Sequence, residues 1–150
     1  MSSVIYEYTC ASCGTEFKAS GVPEMSYGEF VLRTKSGEES YLEAIGNPAF
    51  NEVWKLVESH PSLAHTDPNR LGEITQKIFG PVCDLSPTGQ IFHVGIPPAC
   101  PICSSHKMAS WRESRPLQLS PIPSATQNRW ESLDESKKAA VIDEAIRDLS

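Results

Sequence analysis

The chain has 150 residues, with 13 lysines and arginines against 19 aspartates and glutamates, and so a formal net charge of −6. This charge disfavours a protein that binds nucleic-acid backbones without sequence preference, because such proteins are usually basic. The length and the 39% hydrophobic content are typical of one globular domain with its own core. We see no secretory signal and no apolar run long enough to span a membrane, so we expect a cytoplasmic protein.

The first predicted strands flank a tight turn. Residues 4–9 alternate and are rich in β-forming side chains, which predicts a strand leading into that turn. Gly14 follows Cys13 and supplies the left-handed backbone conformation that the turn requires. A return strand follows it, and residues 29–34 predict a further short strand.

Helical periodicity extends over about residues 38–80 and begins with a short turn predicted at residues 41–45. Asn47 and Asp67 each precede a proline, a pattern that is typical of a helix start. We therefore expect two or three short helices packed together. The apolar stripes of the two longer helices consist of Phe50, Val53, Trp54 and Val57, and of Leu71, Ile74 and Ile78.

The C-terminal third combines a proline-rich stretch with a last helix. Residues 116–128 contain three prolines and several small polar residues, so they predict an extended linker. Ser132 with Glu135 forms a capping box, and the following apolar positions predict an amphipathic helix within 129–150. This helix either packs against the rest of the chain or docks on a partner.

Four of the five cysteines form two C-x-x-C pairs, Cys10 with Cys13 and Cys100 with Cys103. This spacing directs two thiolates from one turn at a single ion, and four thiolates form the tetrahedral site that suits Zn²⁺ first and iron second. The alternative is disulfide formation, which the odd cysteine count and the lack of a leader disfavour. Because four protein ligands leave no position for water, the metal is expected to be structural.

The two pairs resemble the knuckles of zinc-ribbon and rubredoxin-like domains. Residues 8–14 have the sequence Y-T-C-A-S-C-G, and residues 100–103 have the sequence C-P-I-C. The resemblance covers about residues 4–18 and 95–112. It implies that the knuckles face each other across a small β-sheet and that all four cysteines bind one Zn²⁺ or, alternatively, one iron ion.

The chain departs from this family in two respects. The knuckles are separated by 86 residues, far more than in a compact ribbon. Lengthening the connection from about 20 to 86 residues adds only about 1–1.5 kcal/mol of closure entropy, against roughly 10–16 kcal/mol from binding a structural zinc. In addition, Ser104 and Ser105 follow the second knuckle, where rubredoxin-like electron carriers usually have glycine. This departure favours zinc over a redox iron.

We therefore expect an α+β fold built on an interrupted zinc ribbon. The ribbon would occupy residues 1–115, with the helical insertion at about 38–80 between its knuckles. A linker over 116–128 and a C-terminal amphipathic helix over 129–150 would complete the chain.

Several further residues are candidates for chemistry. Cys83 and His93 could form a nucleophile pair, but we favour the interpretation that Cys83 is a small buried residue and His93 a strand residue that faces solvent. His106 could support the metal from outside the ligand set or face solvent. A basic stretch with one aromatic residue could contact nucleic acid, or be a solvated face. This stretch comprises Lys107, Trp111, Arg112 and Arg115.

Nothing in the sequence nominates an enzyme, since it contains no phosphate-binding loop, zincin motif or nucleophile elbow. We expect a non-enzymatic protein-binding module, such as an adaptor, an inhibitor or an immunity protein, that is stabilised by zinc. The acidic charge suits a basic protein partner. The alternatives are a zinc-ribbon protein that binds nucleic acid or takes part in transcription, and a rubredoxin-like electron carrier.

Overall fold

The computed structural model describes residues 3–149, so the ends of the expected ranges 1–115 and 129–150 lie outside it. Within the described part, the chain forms two three-stranded antiparallel sheets and four α-helices, which confirms the predicted α+β class. The strands are β1 Val4–Cys10, β2 Glu16–Gly21, β3 Glu29–Arg33, β4 Glu39–Glu43, β5 His93–Val94 and β6 Met108–Glu113. The helices are α1 Pro48–Glu58, α2 Pro68–Val82, α3 Asn128–Glu131 and α4 Glu135–Asp148.

The first sheet has the order β2-β1-β6, so it pairs the strand that ends at the first C-x-x-C turn with the strand that follows the second turn. Its central strand β1 ends at Cys10, and its edge strand β6 begins shortly after Cys103. The backbone N–H of Ala11 donates to the carbonyl of Lys107 at 2.9 Å. The antiparallel pairing of β1 with β6 therefore brings the two C-x-x-C turns to the same end of the sheet.

The second sheet has the order β4-β3-β5 and corrects one of our predictions. Residues 39–43 form strand β4, whereas the helical segment was expected to begin at 38 with a turn at 41–45. Phe30 of β3 lies opposite Leu42, so both are held by a hairpin ladder. A short apolar run fits a strand as well as a helix, and here the pairing with β3 decides between them.

Helices α1 and α2 begin where the sequence predicts. The Asn47 side chain accepts a hydrogen bond from the N–H of Phe50 at 3.0 Å, and Asp67 accepts one from Asn69 at 3.2 Å. Each cap is followed by a proline at the first helical position. No helix among residues 3–149 is long and apolar enough to cross a bilayer.

The main core lies between the second sheet and the helices. Trp130 of α3 is only 2% exposed, and Ile142 and Ile146 of α4 are buried with it. The C-terminal helix therefore packs against its own chain. Its N-cap is Asp134, which accepts from Lys137 at 2.9 Å, rather than the expected Ser132, because the short helix α3 precedes it. The core also contains Leu32, Leu42, Val53, Val57, Ile78 and Phe79.

The proline-rich segment 116–128 runs along both sheets. The carbonyl of Gln118 accepts a hydrogen bond from the N–H of Ile5 in β1 at 2.9 Å. Further on, the carbonyl of Pro123 accepts one from Tyr41 in β4 at 2.8 Å. The segment is extended, as its composition predicts, but it is fixed to the two sheets by backbone hydrogen bonds.

Candidate metal centre

The sulfur atoms of Cys10, Cys13, Cys100 and Cys103 lie within 4.8 Å of one another. The Sγ atoms of Cys10 and Cys103 are 3.5 Å apart, and those of Cys13 and Cys100 are 3.6 Å apart. A tetrahedral zinc with Zn–S bonds of about 2.3 Å places its sulfurs about 3.8 Å apart. The four predicted ligands therefore come close enough together for one metal ion, and two of the sulfur pairs are near the separation that tetrahedral zinc requires.

The two C-x-x-C turns have the same backbone geometry. In the first turn, the N–H of Gly14 donates to the carbonyl of Cys10 at 3.0 Å. In the second, the N–H of Ser104 donates to the carbonyl of Cys100 at 2.9 Å. These equivalent hydrogen bonds close each turn around its pair of sulfurs, so the site is built from two local units.

Both turns end on a residue with left-handed backbone conformation. Gly14 has φ +75°, and Ser104 at the equivalent place has φ +64°. Only glycine adopts this conformation without strain, so Ser104 is held there by the rest of the turn. The sequence signalled the first position through its glycine and gave no signal for the second.

The four thiols differ in burial according to their place in each turn. Cys10 and Cys100, the first cysteines of the pairs, are 1% and 2% exposed. Cys13 and Cys103, the second ones, are exposed. The cluster therefore sits at the surface with its inner half closed by the protein.

Backbone N–H groups of the turns stabilise the thiolates of three of the four cysteines, Cys10, Cys13 and Cys100. The N–H of Cys13, together with that of Ser12, lowers the pKa of the Cys10 thiol. Likewise, the N–H groups of Cys103 and Ile102 lower the pKa of Cys100.

The two outer thiols show opposite shifts. Hydrogen bonds from the side chain and backbone of Thr15 lower the pKa of Cys13, whose Sγ lies 3.0 Å from the Thr15 hydroxyl oxygen. The Ser105 N–H acts in the same direction on Cys103, but the surrounding cysteine thiols outweigh it and raise the pKa of Cys103 to about 12. A cluster of four sulfurs holds its last proton tightly because a fourth negative charge is unfavourable without a cation. The donor set thus suits a divalent metal ion.

The structure divides the predicted basic stretch between two faces of the first sheet. Trp111 is on the face of the sheet that lines a cleft toward the second sheet, where it is 61% exposed, and Lys107 precedes β6 and lines the same cleft. Arg112 is on the opposite face and its Nε lies 3.1 Å from a Glu7 carboxylate oxygen. Arg115 follows β6 and is exposed. The four residues therefore do not form one contact surface.

The other sequence candidates have structural roles. Cys83 is buried, receives a hydrogen bond from Gln127 at 3.5 Å, and has its pKa raised to about 11 by burial. A thiol that stays protonated is a poor nucleophile, so the environment of Cys83 speaks against a nucleophile pair with His93. His106 donates from Nδ1 to the carbonyl of Pro97 at 2.8 Å, which orients its ring.

One hydrogen-bonded chain of polar side chains was not predicted. His60 accepts at Nδ1 from the Ser62 hydroxyl at 2.7 Å and from the Ser62 N–H at 3.2 Å, and it caps a short 3₁₀ helix. Its Nε2 lies 2.6 Å from the carboxylate of Asp143 in α4. The order serine, histidine, aspartate resembles a catalytic relay, but the Ser62 hydroxyl and Asp143 are both exposed to water. We interpret His60 as a structural residue that caps the 3₁₀ helix and holds α4 in place through its contact with Asp143.

Comparison with protein-family models, with curated proteins and with solved structures finds no match to this chain. The metal centre is therefore supported by the geometry of the chain itself. The likeness to zinc ribbons rests on the two C-x-x-C turns alone.

Proposed function

We propose that the protein is a non-enzymatic protein-binding module built on a zinc ribbon, with Zn²⁺ bound by Cys10, Cys13, Cys100 and Cys103. The convergence of four sulfurs to within 4.8 Å of one another supports this most directly. When bound, the ion ties two chain segments that are distant in sequence into one sheet. All four coordination positions are filled by protein, so the ion serves stability.

Zinc is preferred over iron for a reason found in the second turn. A redox iron site of the rubredoxin type favours glycine after each cysteine pair. Ser104 and Ser105 occupy this place here. The purified protein is therefore expected to be colourless, whereas an electron carrier of the rubredoxin type would be red.

A protein partner is suggested by the distribution of charge. Residues 131–150 carry six acidic side chains against three basic ones. In α4, Glu144 and Asp148 are exposed while Ile142 and Ile146 face the core. An excess of exposed acidic side chains over residues 131–150 suits a basic partner protein, as in an adaptor, an inhibitor or an immunity protein.

The test is affinity capture of the tagged, zinc-loaded protein from nuclease-treated extract of the cells that make it. We expect one stoichiometric protein to be retained by the wild type and lost by the double variant Glu144→Lys/Asp148→Lys. The matched control is Glu16→Lys, an exposed charge reversal on β2, which should keep the partner. Equal retention by all three proteins, or no retained protein, would contradict the proposal.

Nucleic-acid binding is the second candidate function, and the exposed Trp111, which lines the same cleft as Lys107, favours it. An exposed indole next to a cation can stack on an unpaired base. In this case the captured partners would disappear on nuclease treatment. The affinity for single-stranded oligonucleotides would also fall steeply with increasing salt concentration.

A further inference from the structure

A cleft of about 500 Å³ opens between the two sheets. Its volume lies within the range of roughly 300–1,000 Å³ that is typical of small-molecule sites. The first sheet contributes Tyr8, Met108 and Trp111, and the second contributes Val31 and Arg33. The remaining lining residues, in the connections, are Gly95, Ile96, Pro97, His106 and Lys107. The cleft is thus mostly apolar, with a few polar groups at defined places.

Part of the cleft lining is aromatic, since Tyr8 and Trp111 both contribute to it. These two residues are directly opposite each other on β1 and β6, and Phe17 of β2 continues the row on the other side of Tyr8, outside the cleft lining. The rings of Tyr8 and Phe17 are stacked, with centroids 5.6 Å apart and planes inclined by 18°. Tyr8 is buried, whereas Trp111 is 61% exposed. Trp111 is therefore the exposed end of this row of aromatic residues.

The charge of the cleft is opposite to that of the whole chain. Its lining includes the cations Arg33 and Lys107 and no acidic side chain among the described residues. Arg33 is 6% exposed and pairs with Glu39 at 2.8 Å, so its charge is largely balanced. In contrast, none of the ion pairs among residues 3–149 includes Lys107. Lys107, which forms no ion pair in the described part of the chain, thus lines the same cleft as the exposed ring of Trp111, and this combination of a cation and a ring is complementary to an aromatic anion.

The position of Lys107 is fixed by the metal centre. Its carbonyl accepts the N–H of Ala11 in the first C-x-x-C turn at 2.9 Å. Its own N–H donates to the Ser105 hydroxyl at 3.1 Å, just after the second turn. The backbone that carries the cation is therefore part of the two turns, and a bound metal ion would make it rigid.

We propose that the cleft binds a small aromatic anion, with its planar ring against Trp111 and its carboxylate or phosphate at Lys107. A carboxylate and a phosphate are both anions whose oxygen atoms accept hydrogen bonds from an ammonium group. The row of aromatic side chains selects the ring, and the apolar walls at Val31, Ile96 and Met108 exclude water from it. This site goes beyond the proposed function, and it does not depend on a protein partner.

The test is a titration of the zinc-loaded protein with benzoate, with AMP and with inorganic phosphate, followed by tryptophan fluorescence and by calorimetry. We expect benzoate, AMP or both to bind saturably and to change the Trp111 emission. Inorganic phosphate should bind at least about tenfold more weakly because it offers no ring. Whichever of benzoate and AMP binds more tightly identifies the carboxylate or the phosphate as the anion. Absence of saturable binding by both would overturn the proposal, as would equal binding of inorganic phosphate.

Variants locate the ligand within the protein. Lys107→Gln and Trp111→Ala should each weaken binding about tenfold or more, with Trp111→Phe intermediate because it keeps a ring. Arg112→Gln is the matched control, since it removes a cation from the other face of the same strand. Circular dichroism and zinc content verify that each variant is folded. Unchanged binding in Lys107→Gln, or equal loss in Arg112→Gln, would overturn the assignment. So would binding of a single-stranded oligonucleotide by a protein that binds neither AMP nor benzoate, since this would indicate a nucleic-acid surface.

Discussion

At the scale of single residues, the five cysteines fall into two environments that predict different mutational effects. Cys100→Ser removes one of the four proposed thiolate ligands, and binding of a structural zinc contributes roughly 10–16 kcal/mol to folding. We expect this variant to lose the metal and most of its stability. Cys83→Ser places a hydroxyl in the core, which costs about 1–3 kcal/mol but leaves the ligands intact.

The two cysteine variants are compared by their zinc-to-protein ratio and by urea denaturation. Cys83→Ser serves as the control for introducing serine at a buried cysteine. A metal-free Cys83→Ser protein, or a Cys100→Ser protein with full zinc content and wild-type stability, would disagree with the assignment of the ligands.

Substitutions at the ends of the two C-x-x-C turns should change stability in opposite directions. Apart from Gly14 and its two chain neighbours, no heavy atom of residues 3–149 lies within 4 Å of the place where a Cβ at Gly14 would sit, so Gly14→Ala changes mainly the backbone energy. With φ at +75°, this change should destabilise the protein by about 1 kcal/mol. Ser104→Gly relieves the same strain and should stabilise the protein by about 0.5 kcal/mol, after the entropy of the added glycine is subtracted. Urea denaturation of the zinc-loaded proteins measures both, and the reverse order of stability would be inconsistent with equivalent turns.

At the scale of secondary-structure elements, α3 and α4 are held in place by a buried tryptophan. Trp130 is enclosed by the core, and Lys138 of α4 lies 5.4 Å from its ring centroid. Trp130→Ala should therefore cost about 3–5 kcal/mol. Trp111→Ala removes the same side chain from an exposed position on β6 and should cost less than about 1 kcal/mol. Equal losses in the urea unfolding free energies of the two variants would show that the C-terminal helices are not part of the core.

The contact between His60 and Asp143 predicts a pH-dependent contribution from α4. The hydrogen bond from His60 lowers the pKa of the Asp143 carboxyl, so folding favours its ionised form. The contribution is therefore fully present above the unfolded pKa of about 3.9 and is lost as the pH falls through the lower folded value. His60→Ala should lower the urea midpoint near neutral pH, and the difference from the wild type should disappear in acid. Loss of metal in acid affects both proteins alike. A difference that stayed constant or grew in acid would contradict this role for the pair.

Local signals predicted the elements that are defined by local chemistry. The starts of α1 and α2 follow from Asn47 and Asp67, whose side chains bind N–H groups within their own first turn. Strand β4 was missed because its apolar residues suit two structures, and only pairing with β3 selects one. The cap of α4 was displaced to Asp134 because α3, which carries no strong signal, precedes it. An element whose type depends on a partner that is distant in sequence cannot be predicted from a short window of residues.

At the scale of the whole molecule, the distinction between local signals and partners that are distant in sequence also explains which sites could be predicted. The metal centre was predictable because each half is a four-residue unit whose spacing already aims two sulfurs at one point. The cleft was not predictable, because the opposition of Trp111 to Tyr8 and the approach of Arg33 depend on strand order and on the placing of one sheet against the other. Because 86 residues separate the two cysteine pairs, this arrangement cannot be inferred from local sequence patterns.

We propose that one zinc ion, held by four thiolates, joins β1 to the segment that leads into β6 at one end of the first sheet. Elemental analysis of the purified protein, together with its visible absorption spectrum, tests it most directly. We predict one zinc per chain, no colour, and release of the metal when the four thiols react with a thiol-specific reagent. A red protein containing iron would contradict the choice of metal. A metal-free, stably folded protein with the two cysteine pairs oxidised would contradict the metal centre itself.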